Sequence, residues 1–335
     1  MEPARALGPP LKPLGSTPLR VTAIGLGLAA IGRPGYITLG REDDLGPDRS
    51  IAALEARSHQ LLDAAYNAGV RYVDAARSYG RAEQFLSSWL ETRAIPADAI
   101  TIGSKWGYTY VGDWQVKARV HEVKDHSLAA LRRQIGETRA LLGSRVNLYQ
   151  VHSATLESGI LDDSAVLAEL ARLGSEGLTI GITVSGPSQA EVIRRALMVE
   201  VDGTNPFGCV QATWNLLEPS AGAALAEAHD AGWGVLIKEA LANGRLTPRN
   251  LEPRMRPLRE IAEHLGTAAD AVAIGAALAN PWVDVVLSGA ATVDQLTGNL
   301  RALDVSLAAN ETERLAGFAE PPGDYWGERS AIPWT

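Results

Sequence analysis

Cysteine is nearly absent: Cys209 is the single one in 335 residues. One thiol cannot close an internal disulfide, so folding needs no oxidation and a reducing, cytoplasmic setting is expected. Basic charge is short as well. Lysine and arginine number 31 against 39 acidic side chains, a formal net charge of −8. Without a basic field nothing displaces counterions from phosphates, which argues against a nucleic-acid partner. No uncharged apolar run of about 18 residues exists, so no membrane span is expected. Residues 1–15 carry prolines where a secretory signal needs an apolar core. No HExxH helix or cysteine cluster has metal-ligand spacing, so no metal site is expected, and no Gly-x-Ser-x-Gly elbow offers an activated serine. Cys209 itself reads as inert core.

What remains is an ordinary soluble composition, 46 % hydrophobic and 21 % charged, ample for a large core. Length alone suggests about two domains. The pattern along the chain argues for one. Short apolar runs at 21–26, 71–74, 100–105, 146–152, 178–184, 209–213, 234–238 and 283–288 read as strands. Amphipathic runs at 53–67, 83–91, 128–142, 164–173, 189–198, 221–231, 268–279 and 292–303 read as helices. Eight strand-then-helix units imply parallel strands with right-handed crossovers, closed into a (β/α)8 barrel. The expected organisation is a single barrel domain over 1–335, with residues 1–18 and 321–335 as extensions.

Catalytic groups in such barrels sit at the C-terminal strand ends. There the sequence places Asp74 after the second strand with Tyr79 in its loop, Lys105 after the third and His152 after the fourth. These strands are neighbours, so a carboxylate, a phenol, an ammonium and an imidazole converge. The set suits proton donation to a carbonyl oxygen. A free phenol titrates near 10, too high for an efficient acid, and an adjacent Lys105 ammonium is expected to lower it. Asp74 would pair with Lys105, and His152 would orient the substrate oxygen or share its proton. Trp106, in the loop after Lys105, and Arg77 are expected substrate contacts. Residues 25–30 fit Gly-x-Gly-x-x-Ala formally, but Gly32, Pro34 and Gly35 break the helix that a dinucleotide fingerprint needs.

The run 69–83, Gly-Val-Arg-Tyr-Val-Asp-Ala-Ala-Arg-Ser-Tyr-Gly-Arg-Ala-Glu, resembles the first signature of the aldo-keto reductases. The run 142–152, ending Leu-Tyr-Gln-Val-His, resembles the second, and 241–247 and 288–299 resemble two further segments. The likeness extends from about Leu14 to Leu315. It implies hydride transfer between a nicotinamide cofactor and an aldehyde, ketone or sugar-type carbonyl or alcohol, without a metal. By matched position Tyr79 would be the general acid/base, Lys105 and Asp74 its tuning pair and His152 the orienting partner. Thr183, Gln211 and Lys238 would meet the nicotinamide, Leu241, Asn243 and Gly244 the pyrophosphate, and Gly289, Gln295 and Asn299 the adenosine end.

The sequence also departs from that pattern. Asp-Thr-Ala reads Asp74-Ala75-Ala76, Ser-Asn at the fifth strand reads Thr183-Val184, and the aromatic under the nicotinamide is Lys238. The usual cations for a 2′-phosphate are Gly289, Ala290, Thr292 and Gln295. NADP is expected from family habit, with NAD as the alternative; Arg301, or an arginine outside the aligned positions, would supply the missing charge. The partner is a small carbonyl or alcohol, and the chain is a monomer or homo-oligomer. Two other functions fit the residues: a Schiff-base lyase using Lys105 or Lys238, and a cofactor-binding regulatory subunit with negligible turnover.

Overall fold

The computed structural model describes residues 10–335, so residues 1–9 of the expected N-terminal extension lie outside it. Eight parallel strands form a closed barrel: β1 (Ile24–Gly27), β2 (Tyr72–Asp74), β3 (Thr101–Trp106), β4 (Val146–Ala154), β5 (Thr179–Val184), β6 (Cys209–Thr213), β7 (Gly234–Lys238) and β8 (Val285–Ser288). They follow one another around the barrel in chain order, and β8 closes on β1 through Val286–Ile24 and Ser288–Leu26. The (β/α)8 expectation is met. Strands covered on one face by helices and on the other by the barrel interior read as near-continuous apolar runs. In β5, accordingly, every residue from Thr179 to Val184 is buried.

Eight helices wrap the strands: α1 (Ile51–Asn67), α2 (Ala82–Thr92), α3 (Leu128–Leu142), α4 (Ser164–Ser175), α5 (Gln189–Leu197), α6 (Gly222–Asp230), α7 (Ala269–Leu278) and α8 (Val293–Leu300). Four of them start at side-chain caps that satisfy free N–H groups. Ser50 accepts from the Ala53 N–H, Ser127 from Ala130, Asp163 from Ala165 and Val166, and Thr292 from Gln295. The α3 chain turns off at Gly143, whose φ of 58° suits a residue without Cβ.

Ladder register brings polar side chains to the open end. Asp74 pairs with Gly103, Lys105 with Gln150, Gln211 with Thr183, and Thr213 with Lys238. Gly103 has a steric reason: a Cβ there would lie 2.3 Å from the Tyr72 hydroxyl. Residues 25–30 lead into turns, and the first α1 residue comes only at Ile51, so no fingerprint helix follows β1.

Three additions frame the barrel. A hairpin of Lys12–Pro13 with Arg20–Val21 brings Leu14 and Val21 against Tyr72, Leu148, Cys209 and Leu236. A second hairpin, Tyr108–Tyr110 with Glu122–Lys124, rises from the end of β3. The residues after Pro321 are not a plain tail but a helix, Pro322–Ala331, whose following residues reach the mouth. There Tyr36 and Thr335 exchange backbone hydrogen bonds of 3.2 and 3.1 Å. No single helix among the described residues is long and apolar enough to cross a membrane.

Candidate active site

A cavity of about 730 Å³ opens at the C-terminal ends of the strands, within the range of small-molecule and cofactor sites. Asp74, Tyr79, His152 and Gln211 face it on one side, and Gln295 and Asn299 on another.

Asp74 is the hub beneath it. Lys105 forms an ion pair with its Oδ2 and also donates to the Ala75 carbonyl at 3.0 Å. Its Oδ1 accepts from Tyr72 Oη (3.2 Å), Gln150 Nε2 (3.3 Å) and Gln211 Nε2 (3.1 Å). Lys105 and Asp74 are 1 % and 2 % exposed, so this pair stands in a low-dielectric setting where partners matter most. Lys105 Nζ sits 4.9 Å from the Tyr79 ring centroid. The Tyr79 ring meets His152 edge-on at 5.5 Å, and Ser78 Oγ lies 3.4 Å from His152 Nδ1. The four residues therefore gather as the sequence suggested.

Their electrostatics differ from expectation. Burial pushes the Tyr79 phenol well above its usual value, the Asp74 carboxylate pushes the same way, and the Arg33 guanidinium opposes both. Lys105 does not dominate the phenol because its charge is committed to Asp74. His152 is driven well below the usual imidazole range, by burial first and then by Lys105, Arg33 and Lys238. At neutral pH the site thus presents a protonated phenol and a neutral imidazole.

Other expected residues divide. Lys238, Leu241, Asn243, Gly244, Gly289, Gln295 and Asn299 line the cavity. Thr183 does not: it is fully buried and its hydroxyl accepts the Ser153 N–H at 2.7 Å. Trp106 and Arg77, expected as substrate contacts, are corrected. Trp106 is fully buried and packs edge-on against His126 at 5.6 Å. Arg77 binds Glu83 at 2.5 Å and Glu137 at 2.8 Å instead of turning inward. Arg301 is exposed away from the cavity, where Arg41 and Arg249 stand instead. Both are engaged: Arg249 pairs with Asp44, and Arg41 donates to the carbonyls of Ala30, Arg33, Pro34 and Thr335.

Arg33 and Glu239 had no role in the sequence reading, and the tail aromatic Trp334 was open there between a lid over the mouth, cover for the barrel's side and a partner contact. Arg33, 2 % exposed, binds Glu122 at 2.5 Å and sits 5.4 Å from the Tyr79 ring and 4.7 Å from Trp334. Trp334 in turn stacks on His121 at 3.8 Å. Glu239 is clasped by Arg329 from the last helix. A charged residue inside the Gly32–Pro34 turn was the available signal for Arg33, and the aromatic-rich tail was the signal for Trp334; nothing local marked Glu239. Ser153, Glu239 and Asn243 line the cavity with φ of 53°, 56° and 54°, a strained region for non-glycine residues that collects at functional sites.

The description of the aldo/keto reductase family matches residues 24–320. The chain belongs to this family. Aldo-keto reductases are oxidoreductases of carbonyl compounds and generally use NADP(H). This chain is similar to the aryl-alcohol dehydrogenase (NADP+) of Phanerodontia chrysosporium, 24 % identical over 296 residues, covering 77 % of this chain and 74 % of that one. It is also similar to the norsolorinic acid reductase of Emericella nidulans, 26 % identical over 277 residues, covering 75 % and 69 %. In fold it resembles the holo form of an aldo-keto reductase from Bacillus halodurans, with a TM-score of 0.71, 21 % identity, and coverage of 93 % and 96 %.

The residues fit a dinucleotide. The Asn243 side-chain oxygen is buried without a partner, an acceptor free for a ligand donor. Gln211 lines one part of the cavity and Gln295 and Asn299 another, and the capped start of α8 adjoins the latter.

Proposed function

We propose that the protein reduces a small aldehyde or ketone, or oxidises the corresponding alcohol, with Tyr79 as proton donor and acceptor. The observation that carries this is the buried meeting of Tyr79, His152, Lys105 and Asp74 at the floor of one cavity. NADPH, with NADH as the alternative, is the hydride source that the reading requires. Gln211, Leu241, Asn243, Gly244, Gly289, Gln295 and Asn299 line the cavity and would hold it.

The chain's own work is orientation and protonation. The substrate oxygen accepts from the Tyr79 phenol, and neutral His152 aligns it from the side. As hydride reaches the carbonyl carbon, the C–O π pair moves to oxygen and takes the phenolic proton. A phenol held protonated by burial suits the donor state before reaction. Negative charge then left on Tyr79 is stabilised by Arg33 and by Lys105, whose ammonium faces the ring. Asp74 fixes that ammonium, and Gln150, Gln211 and Tyr72 fix Asp74.

Tyr79→Phe tests the reading, because it removes the proton donor and leaves the ring. Carbonyl reduction should fall at least a thousandfold while NADPH binding, followed by cofactor fluorescence, stays within threefold. Wild-type turnover in the variant would remove Tyr79 from the mechanism.

One observation favours a second reading. Burial lowers the Lys238 ammonium to about 8, and it lines the cavity, as a Schiff-base nucleophile would. Lys105, bound to Asp74 and to the Ala75 carbonyl, has no comparable claim. Borohydride trapping with a ketone should leave no adduct on Lys238 if the reductase reading holds.

A further inference from the structure

Four cations stand in or just behind the wall around Tyr79 and His152: Arg33, Lys105, Lys238 and Arg329. Three have a carboxylate of their own. Arg33 binds Glu122, Lys105 binds Asp74, and Arg329 binds both oxygens of Glu239. Lys238 is the remainder. Its nearest carboxylate oxygen belongs to Glu239, 4.0 Å away and already engaged by Arg329. Its Nζ donates to Thr213 Oγ1 at 2.8 Å and Ser185 Oγ at 3.4 Å, both neutral groups. An ammonium has three protons, so one is left for a ligand. Its side chain is only 16 % exposed. Among the described residues this part of the cavity therefore carries one uncompensated positive charge, and burying such a charge is costly unless an anion meets it.

A chain of hydroxyls leads from that charge toward the reacting groups. Ser185 Oγ lies 3.1 Å from Ser153 Oγ, Ser153 follows His152 directly, and both serines line the cavity. We propose that the substrate carries a carboxylate besides its carbonyl, and that Lys238 Nζ with the Ser185 and Ser153 hydroxyls is the seat of that carboxylate. The proposal names the substrate class for the reductase site proposed above and rests on that reading. The groups facing Lys238 support it. Glu239 and Arg329 cancel each other, Lys105 is cancelled by Asp74, His152 is neutral, and the remaining neighbour, the Trp326 ring with its centroid 5.7 Å away, carries no charge. With a titration point of about 8, most of the ammonium is charged at pH 7.

The test uses matched aldehydes: succinic semialdehyde against butanal, and 4-carboxybenzaldehyde against benzaldehyde, each with NADPH and with NADH. In the wild type the carboxylate member should have at least tenfold higher kcat/KM. That ratio should fall several-fold as pH rises from 7 to 9.5, since the binding ammonium is lost. Lys238→Met should bring the ratio to within threefold of one, and Lys238→Arg should keep most of it. The ratio is read within each variant, so a general loss of turnover does not affect it. Equal turnover of both members in the wild type, or an undiminished ratio in Lys238→Met, overturns the proposal and leaves the reductase reading standing. If no aldehyde is reduced, the reductase reading fails instead. Calorimetric titration with succinate then decides the carboxylate seat separately: binding that disappears in Lys238→Met supports it, and no binding to the wild type ends it.

Discussion

Replacing Asp74 with asparagine removes one charge and keeps the shape, which isolates what the hub does. Asp74 accepts from Lys105, Tyr72, Gln150 and Gln211. An asparagine offers one acceptor oxygen, and its amide group turns two protons toward a set of donors. Lys105, 1 % exposed, keeps only the Ala75 carbonyl at 3.0 Å. Breaking a buried pair in this way costs about 3–5 kcal/mol, because a buried charge is left unmet. Unfolding entropy of roughly 2.1 cal/mol/K per residue amounts to about 0.7 kcal/mol/K for a chain of this length. The midpoint of thermal unfolding, followed by circular dichroism at pH 7, should therefore drop by about 4–7 °C. Adding Lys105→Met removes the orphan charge. The double variant should be more stable than the sum of the two single losses by about 2 kcal/mol. A midpoint within 1 °C of the wild type for Asp74→Asn, or strictly additive losses in the double variant, would refute the account of the buried pair.

Acid should weaken the clasp on the last helix. Burial raises the Glu239 carboxyl, but Arg329 and Lys238 outweigh it and hold it down at about 2, against an ordinary 4.5. A depressed carboxyl stabilises the fold fully above its unfolded value and loses that contribution as pH falls from about 4.5 toward 2, about 3 kcal/mol in all. Comparing urea unfolding at pH 6 and pH 3 should give a smaller difference for Glu239→Gln than for the wild type; an identical pH dependence would contradict the assignment. Gly103→Ala should cost about 1–3 kcal/mol, since its Cβ would meet the Tyr72 hydroxyl at 2.3 Å and Asp74 Oδ1 at 3.4 Å. An unchanged urea midpoint there would mean that Tyr72 moves freely, against its buried position.

The barrel was legible because its strands are short and apolar on both faces and its helices alternate with them. The runs at 209–213 and 234–238 match β6 and β7 to the residue, and the others differ by one to three positions at an end. Elements held by tertiary contacts were not legible. The helix Pro322–Ala331 contains Gly323 and Gly327, both poor helix formers. What holds it lies elsewhere in the chain: Tyr325, 1 % exposed, donates no local signal but sits within 3.0 Å of Asn215 Nδ2, and Arg329 reaches Glu239. The hairpin partners Tyr108–Tyr110 and Glu122–Lys124 are three residues each, too short for periodicity to register.

Within the site, residue identities and strand ends placed Asp74, Tyr79, Lys105 and His152 together, but charge balance needed the fold. The carboxylate that answers each cation is far away in sequence: 31 residues for Lys105 and Asp74, 89 for Arg33 and Glu122, 90 for Arg329 and Glu239. Arg77 shows that a nearby partner is missed as well: Glu83, six residues on, and Glu137, sixty residues on, take a guanidinium that looked free for substrate. A sequence of net charge −8 gives no hint that one region of the cavity is positive. That surplus emerges only once the other cations around Tyr79 and His152 have been paired off, and it falls on Lys238, where the family pattern has an aromatic. An aromatic ring offers a flat apolar face; an ammonium offers a charge and a spare proton. The substitution thus replaces a stacking surface with an anion-seeking one inside the reacting chamber, and substrate choice is where that difference should be felt.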